Sequence, residues 1–153
     1  MAQMDNYKIL IVDDNMMNLQ ILAIMLKNLA IQSDLAENGL EGVNLFKAHT
    51  YDLIFMDIQM PVLNGYETIK QIKKIEALKN LKTIAITANV FNNERNKCLA
   101  LGFDEFIEKP INDTLLIKTI DSIIKNLNEK DKTKIIKSLW RIIYSNKNAD
   151  IYE

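Results

Sequence analysis

The chain has 153 residues, 48% of them hydrophobic and 25% charged, with a net charge of −1, enough for one domain with a buried core and a short remainder. No apolar run approaches the roughly 20 residues a membrane helix needs, and the first residues do not read as a leader. One cysteine and one histidine exclude an internal disulfide and a zinc site of the usual nitrogen and sulfur ligands; the expected setting is reducing and cytoplasmic.

The first strand is expected over Tyr7–Val12, an apolar run that stops at Asp13-Asp14. A helix follows over 15–29. Leu19, Leu22, Ala23, Leu26 and Ala30 recur at spacings of three and four and form its core stripe. Met17, Ile21, Ile24 and Met25, flanked by Asn18 and Asn28, form a second stripe on the opposite face, which should meet water. Two adaptable methionines within it favour a surface that docks a partner.

The second strand is expected over Gln32–Ala36 and the next helix over 38–48, entered through the capping-box spacing Asn38 to Glu41. The third strand, Asp52–Met56, carries Ile54, Phe55 and Met56 in unbroken succession. That is the pattern of a strand covered on both faces, and it delivers Asp57 at its end. Asn64-Gly65 reads as a tight turn into a helix over 65–78. Thr83–Thr87 is the fourth strand, and Gly102 stops a helix over 92–101. Glu105–Glu108 is the fifth strand, closed by Lys109-Pro110, with a last helix over 113–127.

Five alternations of strand and helix predict an α/β domain with a doubly wound parallel sheet over residues 6–127. Residues 128–153 remain: a charged connector, then a short greasy helix with Ile135, Ile136, Leu139 and Trp140. This extra element would pack back on the domain, pair with a second copy as a homodimer, or lead elsewhere. Residues 1–124 hold 12 basic and 16 acidic side chains, whereas 125–153 hold 7 and 4. The acidic body argues against nucleic acid as a direct ligand.

Open α/β sheets build their sites at the C-terminal edge of the strands, where Asp13, Asp14, Asp57 and Lys109 all fall. Singly, each has a plainer reading: Asp13 and Asp14 as helix caps, Lys109 as a solvated charge, Thr87 as a strand end. Together they form a cluster of carboxylates that repel one another unless a cation intervenes. Oxygen donors alone suit a hard ion, and Mg²⁺ fits best. Asp57 could then act as a nucleophile and form an acyl phosphate, with Thr87 and Lys109 suited to phosphoryl oxygens.

The runs Lys8-Ile9-Leu10-Ile11-Val12-Asp13-Asp14-Asn15, Asp57-Ile58-Gln59-Met60-Pro61 with Gly65, Ile86-Thr87-Ala88 and Lys109-Pro110 resemble the receiver domain of two-component response regulators. The resemblance covers about residues 6–127 and implies the flavodoxin-like strand order 2-1-3-4-5. It implies that Asp57 accepts a phosphoryl group from a phosphohistidine. Asp14, Asp57 and the backbone carbonyl of Gln59 would hold Mg²⁺, with Asp13 acting through water. Lys109, ahead of a cis peptide bond, would pair with a phosphoryl oxygen, and Thr87 and Phe106 would be the switch pair. Many members carry Tyr where this chain has Phe106, so a readout through that hydroxyl has no counterpart here.

Met17, Asn18, Ile21, Ile24 and Met25 match the face on which receivers dock a histidine kinase or histidine phosphotransfer protein, and a downstream effector is implied as well. The run Met56-Asp57-Ile58-Gln59-Met60-Pro61 is similar to receivers of hybrid kinases and phosphorelays, so a piece of a hybrid sensor kinase is the main alternative. A phosphatase of the haloacid dehalogenase type would need an acid two residues after the nucleophile. Gln59 stands there and cannot exchange a proton, so a signalling acceptor is expected and not a turnover enzyme. His49 is expected on the surface and Cys98 in packing.

Overall fold

A computed structural model describes residues 8–61, 63–75, 81–88 and 92–124. Strands β1 (Ile9–Val12), β2 (Ser33–Ala36), β3 (Leu53–Asp57), β4 (Lys82–Thr87) and β5 (Glu105–Glu108) form one parallel sheet in the order β2-β1-β3-β4-β5. Between and after them run α1 (Met16–Asn28), α2 (Gly39–Ala48), α3 (Gly65–Ile75), α4 (Asn92–Ala100) and α5 (Asp113–Ile124). The expected doubly wound α/β fold is observed. The extra helix expected in 128–153 lies outside the described residues, as does Tyr7.

Side chains alternate along each strand, and the sheet sorts them into two core layers. Ile9, Ile11, Leu53, Phe55, Ile84, Ile86 and Ile107 pack under α1 and α5. Leu10, Val12, Ile54, Met56 and Ala85 face the other way, with Val43, Ile69 and Cys98 from α2, α3 and α4. Both faces are covered over the central strands, which is why β1 and β3 read as apolar runs, while the edge strands β2 and β5 are partly exposed. Each such side chain contributes about 1.5–3 kcal/mol when fully buried.

Asparagine starts four of the helices. The side chains of Asn15, Asn38, Asn64 and Asn112 accept from the N–H of the residue three positions on, at 3.1, 2.8, 3.0 and 2.8 Å. The carboxylate of Glu41 returns its bond to the N–H of Glu37, at 3.0 Å, one residue ahead of the cap expected to receive it. Gly102, at φ 96°, stops α4 as its position predicts.

Helix α1 departs from expectation at two residues. Ala30 is not in the core stripe: the helix ends at Asn28, and Ala30 is exposed at φ 60°. There its N–H bonds to Lys27 and that of Ile31 bonds to Leu26, both at 2.9 Å, closing the helix in a Schellman turn. Leu29 takes the buried place. Met25, expected on the exposed stripe, is half-buried against the α1/α5 core layer, because the apolar arc of α1 is wider than a narrow stripe. No described helix is long and apolar enough to cross a membrane.

Candidate functional site

Strand parity explains which side chains meet. Asp13 continues the face of Ile9 and Ile11, Asp57 that of Leu53 and Phe55, and Lys109 that of Ile107; all three belong to the α1/α5 layer. The ladder carries on past the strands: the Asp13 N–H bonds to Ala36 at 3.1 Å, that of Ile58 to Ile86 at 3.0 Å, and that of Lys109 to Thr87 at 2.8 Å. These bonds hold the strand ends in register at the rim. Lys109 Nζ stands 3.0 Å from the Asp13 carboxylate and 3.5 Å from that of Asp57.

The acids are not spent on capping α1. Asn15 caps that helix, and Asp13 Oδ1 accepts the Asn15 N–H at 2.9 Å, which orients the carboxylate toward the rim. Asp57, at the end of β3, accepts the N–H of Gln59 at 3.2 Å. Asp13 and Asp57 are buried and Asp14 is exposed. Oxygens of all three lie within 4.8 Å of one another. Burial first, then the Asp13 carboxylate, push Asp57 up to about 7; Lys109 and the Gln59 N–H pull the other way.

An all-oxygen donor set with one open, solvated member fits a hard divalent ion that keeps part of its water. A cation there would relieve the repulsion that burial intensifies between Asp13 and Asp57. The donor chemistry therefore fits Mg²⁺.

Gly65 plays a part its turn signal did not reveal. Its N–H bonds to Ile58 at 3.0 Å, and a Cβ there would collide with the Asp57 carbonyl oxygen. Only glycine lets the loop after β3 close this tightly. Thr87 is fully buried at the end of β4, on the opposite parity from Asp57. Phe106 is half-buried on β5 against the layer under α2, α3 and α4.

The second stripe of α1 emerges beside the acids. Met17, Ile24 and Ile21 are 69%, 58% and 48% exposed, unusual for such side chains gathered on one helix face. A cavity of about 320 Å³ opens between α1 and the segment after β5, lined by Asn18, Ile21, Leu22, Met25, Pro110 and Ile111, with Asp13 and Lys109 at its edge. Lys109-Pro110 is cis. Neither Pro110 nor Ile111 carried a signal of this role in the sequence. His49 is exposed after α2, ahead of β3, and Cys98 is buried.

Residues 9–121 match the family model described as the response regulator receiver domain. Over 107 residues, 68% of the chain, it is 50% identical to hybrid signal transduction histidine kinase G of Dictyostelium discoideum. The chain spans 3% of that kinase and 14% of the response regulator SSK1 of Arthrobotrys oligospora, a small part of either. Among solved structures, it is similar to the Saccharomyces cerevisiae receiver domain of Ssk1 co-crystallised with the histidine phosphotransfer protein Ypd1, at 33% identity and a TM-score of 0.68, covering 78% of this chain and 88% of that one. The receiver domain of sensor histidine kinase PA1611 from Pseudomonas aeruginosa, which has a magnesium ion in its active site cleft, matches at 31% identity and a TM-score of 0.68 over 78% of this chain and 98% of that one.

Proposed function

The chain belongs to the response regulator receiver domain family, and from that premise we propose that Asp57 is a phosphoacceptor, charged by a phosphohistidine on a histidine kinase or histidine phosphotransfer protein. The observation that carries this reading is Lys109 held between Asp13 and Asp57 at the sheet's rim, with Asp14 alongside. Its similarity to hybrid-kinase and Ssk1 receivers supports a phosphorelay setting, and the lone Cys98 favours a reducing, cytoplasmic one.

An Asp57 oxygen attacks the phosphorus in line, the P–N bond to the donor imidazole breaks, and that ring takes up a proton as it leaves. The attacking form is the carboxylate, so the proton that burial favours on Asp57 must first be lost. Asp14, Asp57 and the Gln59 carbonyl, with Asp13 through water, would hold Mg²⁺, which supplies positive charge to the phosphoryl oxygens. Lys109 turns from Asp13 toward the new phosphoryl group, and the Thr87 hydroxyl serves as a donor to it. These contacts exist only in the modified chain, so they shift an equilibrium between two conformations that an effector reads. Met17, Asn18, Ile21, Ile24 and Met25 dock the donor beside the site. The Gln59 side chain cannot act as an acid, which favours a persistent acyl phosphate over turnover.

Mass spectrometry after incubation with Mg²⁺ and acetyl phosphate tests the reading. One added phosphate is expected on the native chain and none on Asp57→Ala. No added mass, or equal yield in both, overturns it.

A further inference from the structure

Helix α4 is poorly anchored. Its sequence, Asn-Asn-Glu-Arg-Asn-Lys-Cys-Leu-Ala, is mostly polar, and Cys98 is its one buried side chain among those described. Its C-terminal end is nevertheless well fixed. The N–H of Gly102 bonds to Leu99 and that of buried Phe103 to Cys98, both at 3.1 Å, and Lys73 of α3 reaches the Gly102 carbonyl at 2.7 Å.

Toward the other end, Tyr66 of α3 makes the connection. Its hydroxyl donates to the Glu94 carboxylate and lies 3.8 Å from Cys98 Sγ, while Lys97 Nζ sits 4.5 Å from the ring centroid. Positions 94, 97 and 98 share one helix face, so a single ring engages α4 along a whole turn.

Tyr66 is also one residue from the site. It follows Gly65, whose backbone is seated against the Asp57 carbonyl. The N-terminal end of α4 is thus tied to the rim twice: covalently through the chain from Thr87 to Asn92, and through Tyr66 to the loop after Asp57. A displacement of the rim after β4 relative to the loop after Asp57 would load the Tyr66–Glu94 bond, the non-covalent one of these two ties.

We propose that the Tyr66–Glu94 contact is a latch holding the N-terminal end of α4 against α3, and that phosphorylation at Asp57 releases it. The release rests on the phosphoacceptor reading above; the latch in the unmodified chain does not. Tyr66 is a positioning residue, acting on α4 through Glu94 with no contact to the phosphoryl group.

Amide hydrogen exchange on the full chain tests this. Tyr66→Phe keeps the ring and removes the hydroxyl, so exchange in residues 94–100 should quicken roughly threefold or more, the scale of one lost hydrogen bond, with β1 and β3 unchanged. Glu94→Gln should do the same more weakly, and the double variant should match Tyr66→Phe alone. After phosphorylation, verified by mass, the native chain and Tyr66→Phe should exchange alike in α4, which a purely structural role would not produce. Unchanged α4 exchange in unmodified Tyr66→Phe overturns the latch. A difference that persists undiminished in the phosphorylated pair overturns its release. Failure to take up phosphate at all overturns the phosphoacceptor reading and the release with it, while the unmodified comparison still decides the latch.

Discussion

Lys109 Nζ lies 3.0 Å from Oδ2 of Asp13, nearer than it lies to Asp57. In the unmodified site the ammonium therefore mainly offsets Asp13, and it competes with any cation the acids would hold. Lys109→Met should tighten Mg²⁺ binding at pH 8, on the order of fivefold by Coulomb's law for a partly screened charge. Isothermal titration calorimetry reads it directly. A weaker or unchanged affinity would mean that the lysine does not oppose the metal.

Asp57 carries a pH signature with a definite sign. Its folded value, about 7, stands above its ordinary value of 3.8. Between those values the folded chain holds a proton that the unfolded chain has released, so stability falls as pH rises through that window. Asp57→Asn, which cannot ionise, should match the native chain near pH 3 and become progressively more stable up to about pH 7. Above that the gain levels off, on the order of 4 kcal/mol, or roughly ten degrees in Tm. Added Mg²⁺ should narrow the gap by stabilising the native carboxylates. Thermal melts from pH 3 to 8 with and without the ion check both parts, and a gain independent of pH would refute the electrostatic cause.

Gly65→Ala places a methyl group against the Asp57 carbonyl oxygen. The loop after β3 must open to admit it, at a cost of about 1–3 kcal/mol in unfolding free energy. Acetyl phosphate uptake should slow as well, because the same loop orients Gln59 beside Asp57. A variant as stable and as reactive as the native chain would show that the close approach is dispensable.

Ala30 gives a prediction of the opposite sign. Its φ of 60° is costly for a residue with a Cβ and free for glycine. Ala30→Gly should stabilise the chain by about 0.5–1 kcal/mol in a denaturant titration, although glycine is ordinarily destabilising. Loss of stability would place the end of α1 in another conformation.

What the sequence made legible follows from which forces are local. The strand edges fell within two residues of expectation most plainly where both faces are buried: β1 and β3 run apolar until Asp13 and Asp57. The gathering of Asp13, Asp57 and Lys109 was legible because each follows a strand of a parallel sheet and so falls at the same edge; the strand parity that aims them at one another emerged from the structure. Ala30 was misplaced because a helical period says nothing of where the helix stops, and no glycine marked the Schellman turn. The protonation of Asp57 depends on burial, which a sequence does not state. Tyr66 and Glu94 are 28 positions apart and neither residue type signals a contact, so their pairing required the packing of α3 on α4.

The stripe on α1 separates docking from chemistry. Met17 and Ile21 are largely exposed, so replacing either with lysine should leave folding intact. Ile21 lines the cavity that borders Asp13 and Lys109, where a donor helix would rest, and Met17 is exposed one turn earlier on the same helix. Acetyl phosphate needs no such surface. Met17→Lys and Ile21→Lys should therefore slow transfer from a phosphohistidine protein by roughly tenfold or more, the loss expected when a desolvated anchor is replaced by a charge. Uptake from acetyl phosphate should stay within about twofold, a difference well under 1 kcal/mol. Parallel time courses with the two donors measure the ratio. Equal slowing with both would assign the stripe to the integrity of the site and not to recognition.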